Sequence, residues 1–153
     1  MIYKKGEMWD ALDEADLFLV TTNSTIKKDG SLVMGRGMAL QAKNRFKDLD
    51  VLAGRVIVKK GLENSIYGIL MSFYFAQPNL GLFQSKIHYS DMATANVIQR
   101  SANTLRIVVR SLGLKNVHLN FPGIGNGRLD AKYVIPVLEE ELDSLPVTIW
   151  RKE

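Results

Sequence analysis

The sequence predicts an α/β domain in three layers, with helices on both faces of a mixed central sheet. Three observations predict it. Short apolar and β-branched runs, Leu17 to Thr22, Asn116 to Asn120 and Val147 to Trp150, read as buried strands. Segments with helical spacing fall between such runs, at Met38 to Phe46, up to Leu112, and at Ala131 to Leu142. The 153 residues suit one domain with one core, and no linker, internal repeat or low-complexity tract divides them. Residues 1–153 are therefore read as a single domain.

In chain order, Met1 to Lys5 reads as a short strand ending at Gly6, and Trp9 to Glu14 as one or two helical turns. The strand Leu17 to Thr22 opens into a polar loop, Asn23 to Ser31, with Lys27-Lys28-Asp29-Gly30 as its turn signal. Gly35-Arg36-Gly37 leads into a helix on which Met38, Ala39, Ala42 and Phe46 recur. Val56-Ile57-Val58 reads as a second strand, Ile66 to Ser72 as a third, and Leu82 to Tyr89 as a fourth, entered through Pro78-Asn79-Leu80-Gly81. The apolar stretches 69–71 and 73–76 are core-sized. Ser90 or Asp91 caps a long helix that Gly113 closes. After the strand Asn116 to Asn120 come a glycine-rich loop, Pro122 to Gly127, the acidic amphipathic helix Ala131 to Leu142, and a terminal strand.

Composition excludes several classes. With 46% hydrophobic and 24% charged residues the chain is neither disordered nor fibrous. No apolar run approaches the roughly 18 residues of a membrane span, and the first seven residues carry no signal-peptide h-region. There is no cysteine, so disulfide scaffolds, thiol nucleophiles and thiolate metal sites are ruled out. Two histidines, His88 and His118, make a histidine-rich metal site a poor fit, and no residue set calls for a metal or a cofactor. The expected setting is cytoplasmic. The net charge of +4 suits an anionic ligand or mere solubility.

In open α/β sheets ligands sit beyond the carboxyl ends of strands. Two glycine-rich segments have that position: Val33-Met34-Gly35-Arg36-Gly37-Met38-Ala39, and Asn120-Phe121-Pro122-Gly123-Ile124-Gly125-Asn126-Gly127. Their glycines permit positive φ and close backbone approach, and the helix that follows each offers unpaired amides to an anion. No Gly-Lys-Ser/Thr follows either, so neither is a P-loop, and neither reads as a dinucleotide fingerprint. One such loop is as readily a plain tight turn. Two in a small domain are what a diphosphate with a sugar on each side needs.

On these residues the chain resembles a macro domain, the ADP-ribose-binding module, over nearly its whole length. The resemblance rests on Thr21-Thr22-Asn23 with the segment 33–39, on Gly81-Leu82-Phe83-Gln84-Ser85-Lys86-Ile87-His88-Tyr89, and on Phe121 to Gly127. The Met-Gly-Arg-Gly-Met-Ala form is similar to the branch of ADP-ribosylglutamate hydrolases and of antitoxins that remove ADP-ribose from DNA. Similar short chains occur in bacteriophages.

The resemblance implies roles. Glu7 stands where the family has an acid that accepts from the adenine amino group; as a plain residue it is a solvated turn acid. Asn23 stands where a family asparagine faces the distal ribose; as a plain residue it forms an Asx turn. Gly35, Arg36, Gly37 and Met38 form the first loop around the distal ribose and diphosphate. Gly123, Ile124, Gly125, Asn126 and Gly127 form the second around the diphosphate. Trp150 falls where an aromatic meets the adenine, or is a core or rim tryptophan. Lys86 matches an essential lysine of the hydrolases, and in an extended strand it shares a face with His88; the plain readings are an exposed strand lysine and a packing histidine. Arg36 is the cation expected to depress the Lys86 pKa. Lys86 and Asn23 are the candidate catalytic residues.

One departure stands out. The glutamate-linkage hydrolases carry an aspartate just after the second loop. Here Gly127-Arg128-Leu129-Asp130 is shorter, so Asp130 reads as a helix N-cap and Arg128 brings positive charge near the diphosphate or near a phosphate on the distal ribose. Three functions follow as expectations: a hydrolase acting on ADP-ribosylated protein or DNA or on ADP-ribose 1''-phosphate; a reader that sequesters ADP-ribose or a related nucleotide; and a basic nucleic-acid-binding domain. The partners expected are ADP-ribose or an ADP-ribosylated macromolecule, with nucleic acid only as modified substrate and no membrane.

Overall fold

The computed structural model describes residues 1–71 and 77–152. Its strands are β1 (Ile2–Lys5), β2 (Leu17–Thr22), β3 (Ile69–Leu70), β4 (Leu80–Gln84), β5 (Val117–Asn120) and β6 (Val147–Arg151). Its helices are α1 (Gly37–Arg45), α2 (Leu49–Lys59), α3 (Ala95–Leu112) and α4 (Ala131–Leu142), with 3-10 turns at Met8–Ala11 and Gly125–Gly127. The strands order β1-β6-β5-β2-β4-β3. All neighbours are parallel except β3, which runs against β4, so the expected mixed sheet is present.

Strand alternation builds the two cores. Phe18 and Val20 of β2 face one side, where Trp9, Ala39, Ala42, Leu49, Ala53 and Ile57 pack from the first turn, α1 and α2. Leu17 and Leu19 face the other, against Ile98, Ala102 and Leu105 of α3 and Val134 and Leu138 of α4. Thus β2 leads to a helix on one face while β5 leads to α4 on the opposite face. The chain turns apart between these two adjacent strands, which opens a crevice at their carboxyl ends.

Four expectations need correction. Val56-Ile57-Val58 is not a strand but part of α2: Leu49, Ala53 and Ile57, four residues apart, are buried, while Val58 is exposed. The helical period outweighs the β preference of three consecutive branched residues. The strand expected over 66–72 is only Ile69–Leu70, with residue 72 and the stretch 73–76 outside the described residues. The fourth strand is Leu80–Gln84 rather than 82–89. It starts two residues earlier because Leu80 pairs Phe18, and it stops when the buried Gln84 side chain takes up the amides of Tyr67 and Gly68. The cap of α3 is Thr94, whose hydroxyl accepts from the Val97 amide, not Ser90 or Asp91. Asp130 does cap α4 as expected, accepting from the Lys132 amide at 3.0 Å.

Candidate functional site

The carboxyl ends of β2, β4 and β5 lie side by side and floor a cavity of about 620 Å³. Backbone pairing between β2 and β5 ends at Leu19 and Leu119. Beyond it the Asn120 side chain holds the splayed strands, accepting from the Thr21 amide at 3.0 Å and donating to the Thr21 hydroxyl at 2.9 Å. The walls are the two glycine segments, including Gly35, Arg36, Gly37 and Met38 on one side and Gly123, Ile124, Gly125, Asn126, Gly127 and Arg128 on the other. Asn23 and Lys86 line it as well.

The two loops reach their shape differently. Gly37, at φ +58°, starts α1, so the amides of its first turn point away from any intrahelical partner. Among the described residues the amides of Gly35 to Ala39, and those of Gly123 to Asn126, donate to no protein acceptor. Gly125, at φ +66°, is exposed with open space where a Cβ would stand. Gly127 serves packing, and Gly123 serves packing as well as a positive φ of +83°. A Cβ on Gly123 would lie 2.6 Å from Ile98 Cδ1, and one on Gly127 3.0 Å from the Ala93 Cβ. Gly35 needs neither freedom, having neither a positive φ nor a close neighbour.

Asn23 is buried and largely engaged. It donates to the Val33 carbonyl at 3.1 Å and accepts from the Thr25 amide at 2.9 Å, an Asx turn that ties β2 to the first loop. Lys86 is not on a strand, and so shares no strand face with His88. It sits in the loop after β4, where its ammonium donates to the Tyr89 carbonyl at 2.9 Å. Burial, reinforced by the Arg128 guanidinium and then by Arg36, pulls its pKa below the usual lysine range, against the opposing pull of Asp91. The sequence pointed to Arg36 alone, whereas Arg128 is the stronger influence. Arg128 takes the left-handed conformation, φ +60°, and donates to the Ser90 carbonyl at 3.0 Å, so its charge is held at the rim. His88 lies outside the cavity lining, its ring bonded to Ser90 and tilted against Tyr89. Asp130 also lies outside it, and among the described residues no carboxylate lines this cavity.

A second cavity, of about 850 Å³, adjoins the first and shares Gly37, Met38, Asn120, Ile124, Gly125 and Asn126 with it. Glu7 and Trp150 belong here, away from Lys86. The Trp150 indole is 7% exposed and its N–H is taken by His118 Nδ1 at 2.8 Å, so it offers a wall rather than a free face. Glu7 caps the first 3-10 turn, accepting from the Trp9 amide at 3.2 Å. Thr21, Thr22, Ser85 and Asn120, quoted within the sequence motifs but given no role there, also line the cavities, as does Gln41, which the sequence did not single out. Thr21, Thr22 and Asn120 were detectable as polar residues closing apolar strands; Gln41 carried no signal.

No protein-family model matches the chain, and no curated protein is significantly similar to it. Solved structures are. The macrodomain of Thermus aquaticus DarG aligns with a TM-score of 0.74 at 25% identity, over 99% of this chain and 97% of that one. The chain has the macrodomain fold. The macrodomain of Mycobacterium tuberculosis DarG gives the same TM-score, 0.74, the same 25% identity and the same coverage, 99% and 97%. A structure of Thermosipho africanus DarTG in complex with ADP-ribose aligns with a TM-score of 0.76 at 24% identity, over 99% of this chain and 41% of that one. This chain therefore spans about two-fifths of that one. The two glycine loops flank the crevice between β2 and β5, and Lys86 lines the same cavity.

Proposed function

We propose that this chain binds ADP-ribose across the two cavities and removes it from a carrier by way of Lys86. The diphosphate lies against the free amides of the two loops, the adenosine occupies the cavity with Glu7 and Trp150, and the distal ribose faces Lys86. One observation carries the reading: a lysine with a depressed pKa lines the same cavity as both amide-lined loops, beside two guanidinium groups. A neutral amine can add to the anomeric carbon of the distal ribose as the bond to the carrier breaks, the leaving group departing with that electron pair. Water then releases ADP-ribose and restores the amine. Burial first, then Arg128 and Arg36, favour the neutral amine over the ammonium, and the two guanidinium groups offset the charge of the diphosphate. The test is incubation with ADP-ribosylated protein, ADP-ribosylated DNA and ADP-ribose 1''-phosphate. Turnover of at least one, lost in Lys86→Gln, is expected; none turned over by the wild type refutes catalysis.

A second reading is a reader that binds ADP-ribose without turnover. It is favoured by the cavity's lack of a carboxylate among the described residues and by the engagement of the Lys86 ammonium with the Tyr89 carbonyl. It expects ADP-ribose binding in a titration, with Lys86→Gln leaving the affinity within about threefold and no substrate consumed.

A further inference from the structure

The second cavity contains a polar pair that one residue orients. Trp9 is buried, with its ring stacked on Phe18 at 4.9 Å between centroids and the Arg45 guanidinium over it at 4.3 Å. Its indole N–H donates to Gln41 Oε1 at 2.7 Å, and its backbone amide donates to Glu7 Oε1 at 3.2 Å. Gln41 and Glu7 both line the cavity. Indole nitrogen is a donor only, so the Gln41 amide has one permitted orientation: the oxygen turns to Trp9 and the NH₂ group turns away from it. Among the described residues that NH₂ group has no protein acceptor. Glu7 likewise spends one oxygen on the turn and keeps the other. Gln41 and Glu7, each bonded to Trp9, thus present a donor and an acceptor on the wall of the same cavity, from the second turn of α1 and the entry to the 3-10 turn.

We propose that Gln41 is a base-specificity residue, donating to N1 of adenine while Glu7 accepts from the adjacent exocyclic amine, with Trp9 as the positioning residue for both. The inference rests on the nucleotide reading above. An adenine edge carries an amine donor beside a ring-nitrogen acceptor, which complements the pair. Hypoxanthine inverts it in the same register, with a carbonyl oxygen against Glu7 and an N–H against the Gln41 amine. Each mismatch leaves a polar group unpaired, which weakens binding by about tenfold or more.

The experiment is calorimetric titration of wild type and Gln41→Glu with ADP-ribose and with its hypoxanthine counterpart, inosine diphosphate ribose. Gln41→Glu keeps the size and the acceptor for Trp9 but replaces the outward NH₂ by an oxygen. We expect wild type to prefer ADP-ribose by about tenfold or more, and Gln41→Glu to weaken ADP-ribose binding and narrow or reverse that preference. Trp9→Phe, which removes only the indole N–H and part of the ring, should reduce the preference in the same direction; an unaltered preference would refute the positioning role. Equal affinities in wild type, or an undiminished preference in Gln41→Glu, overturns the base reading while leaving ADP-ribose binding intact. Failure of wild type to bind ADP-ribose at all overturns both.

Discussion

Gly37 and Asn126 bring the two glycine loops into contact: a Cβ on Gly37 would lie 3.1 Å from Asn126 Nδ2. Gly37 also holds φ +58°, so a side chain there meets both a strained backbone and the opposite wall of the crevice. Gly37→Ala should cost roughly 1–2 kcal/mol of stability through its left-handed backbone and weaken ADP-ribose binding about tenfold because the methyl displaces Asn126 and the second loop. Unchanged affinity by calorimetry would show that the loops need not approach this closely.

Gly125 separates occupancy from packing. A Cβ there meets nothing within 4 Å, although φ is +66°. Gly125→Glu should therefore fold, with a modest loss of stability of about 1–2 kcal/mol from its backbone conformation. The added carboxylate should repel a diphosphate and weaken ADP-ribose binding by about 100-fold or more. Binding that survives this charge places the diphosphate elsewhere.

Turnover should follow the ionisation of Lys86. Its pKa lies below the usual lysine range, first through burial and then through Arg128, so the amine becomes neutral at a lower pH than in an unfolded chain. The rate should rise with pH through that lowered pKa and level off above it. Arg128→Gln should move the rise to higher pH, because it removes a cation that disfavours the ammonium. A rate profile that stays in place after Arg128→Gln would separate Arg128 from the amine.

The same lysine makes a stability statement. In the unfolded chain it takes up its proton at higher pH than in the folded one, so holding the ammonium costs stability at neutral pH, and that cost disappears only as pH rises past the unfolded value. Lys86→Gln should melt at or above the wild-type temperature at pH 7. A clear drop would mean that the ammonium's bond to the Tyr89 carbonyl stabilises more than its desolvation costs.

His118 should make the fold acid-sensitive. Its pKa is lowered from the ordinary 6.5, by burial and by Lys4 against the opposing pull of Glu14. Protonation at Nδ1 would set an N–H against the Trp150 indole N–H that it now receives at 2.8 Å. The unfolded chain therefore takes up this proton first. Stability is complete above about 6.5 and falls with pH down to the lower folded value. Urea midpoints between pH 7.5 and 5 should fall in wild type and fall less in His118→Gln; parallel curves would exclude the pair as the cause.

Gly54 tests the corrected helix α2. Replacing a glycine inside an ordinary helix by alanine stabilises it by about 1 kcal/mol. Here a Cβ would lie 2.0 Å from the Gly30 carbonyl oxygen, since α2 packs directly on the turn at residues 27–31. Gly54→Ala should instead destabilise by about 2 kcal/mol or more. A stabilised variant in urea titration would show that the turn yields.

Local chemistry in the chain accounts for much of the architecture. The strand Leu17–Thr22, the helix Ala131–Leu142 with its Asp130 cap, and the Gly113 stop of α3 are written in residue spacing and capping preference, which act over a few positions. The glycine loops were legible for the same reason, being short segments at strand ends. Competition between distant residues was not legible. Val56 to Val58 joins a helix because Leu49, Ala53 and Ile57 find one common core, and β4 ends where Gln84 meets Tyr67 and Gly68 from another segment. Likewise Arg128 reaches Lys86, and Trp9 orients Gln41 across 32 positions of sequence, only because the sheet brings separate loops together. Periodicity reports what a residue prefers among its neighbours in the chain; charge, burial and hydrogen-bond direction at the crevice depend on neighbours that only packing supplies.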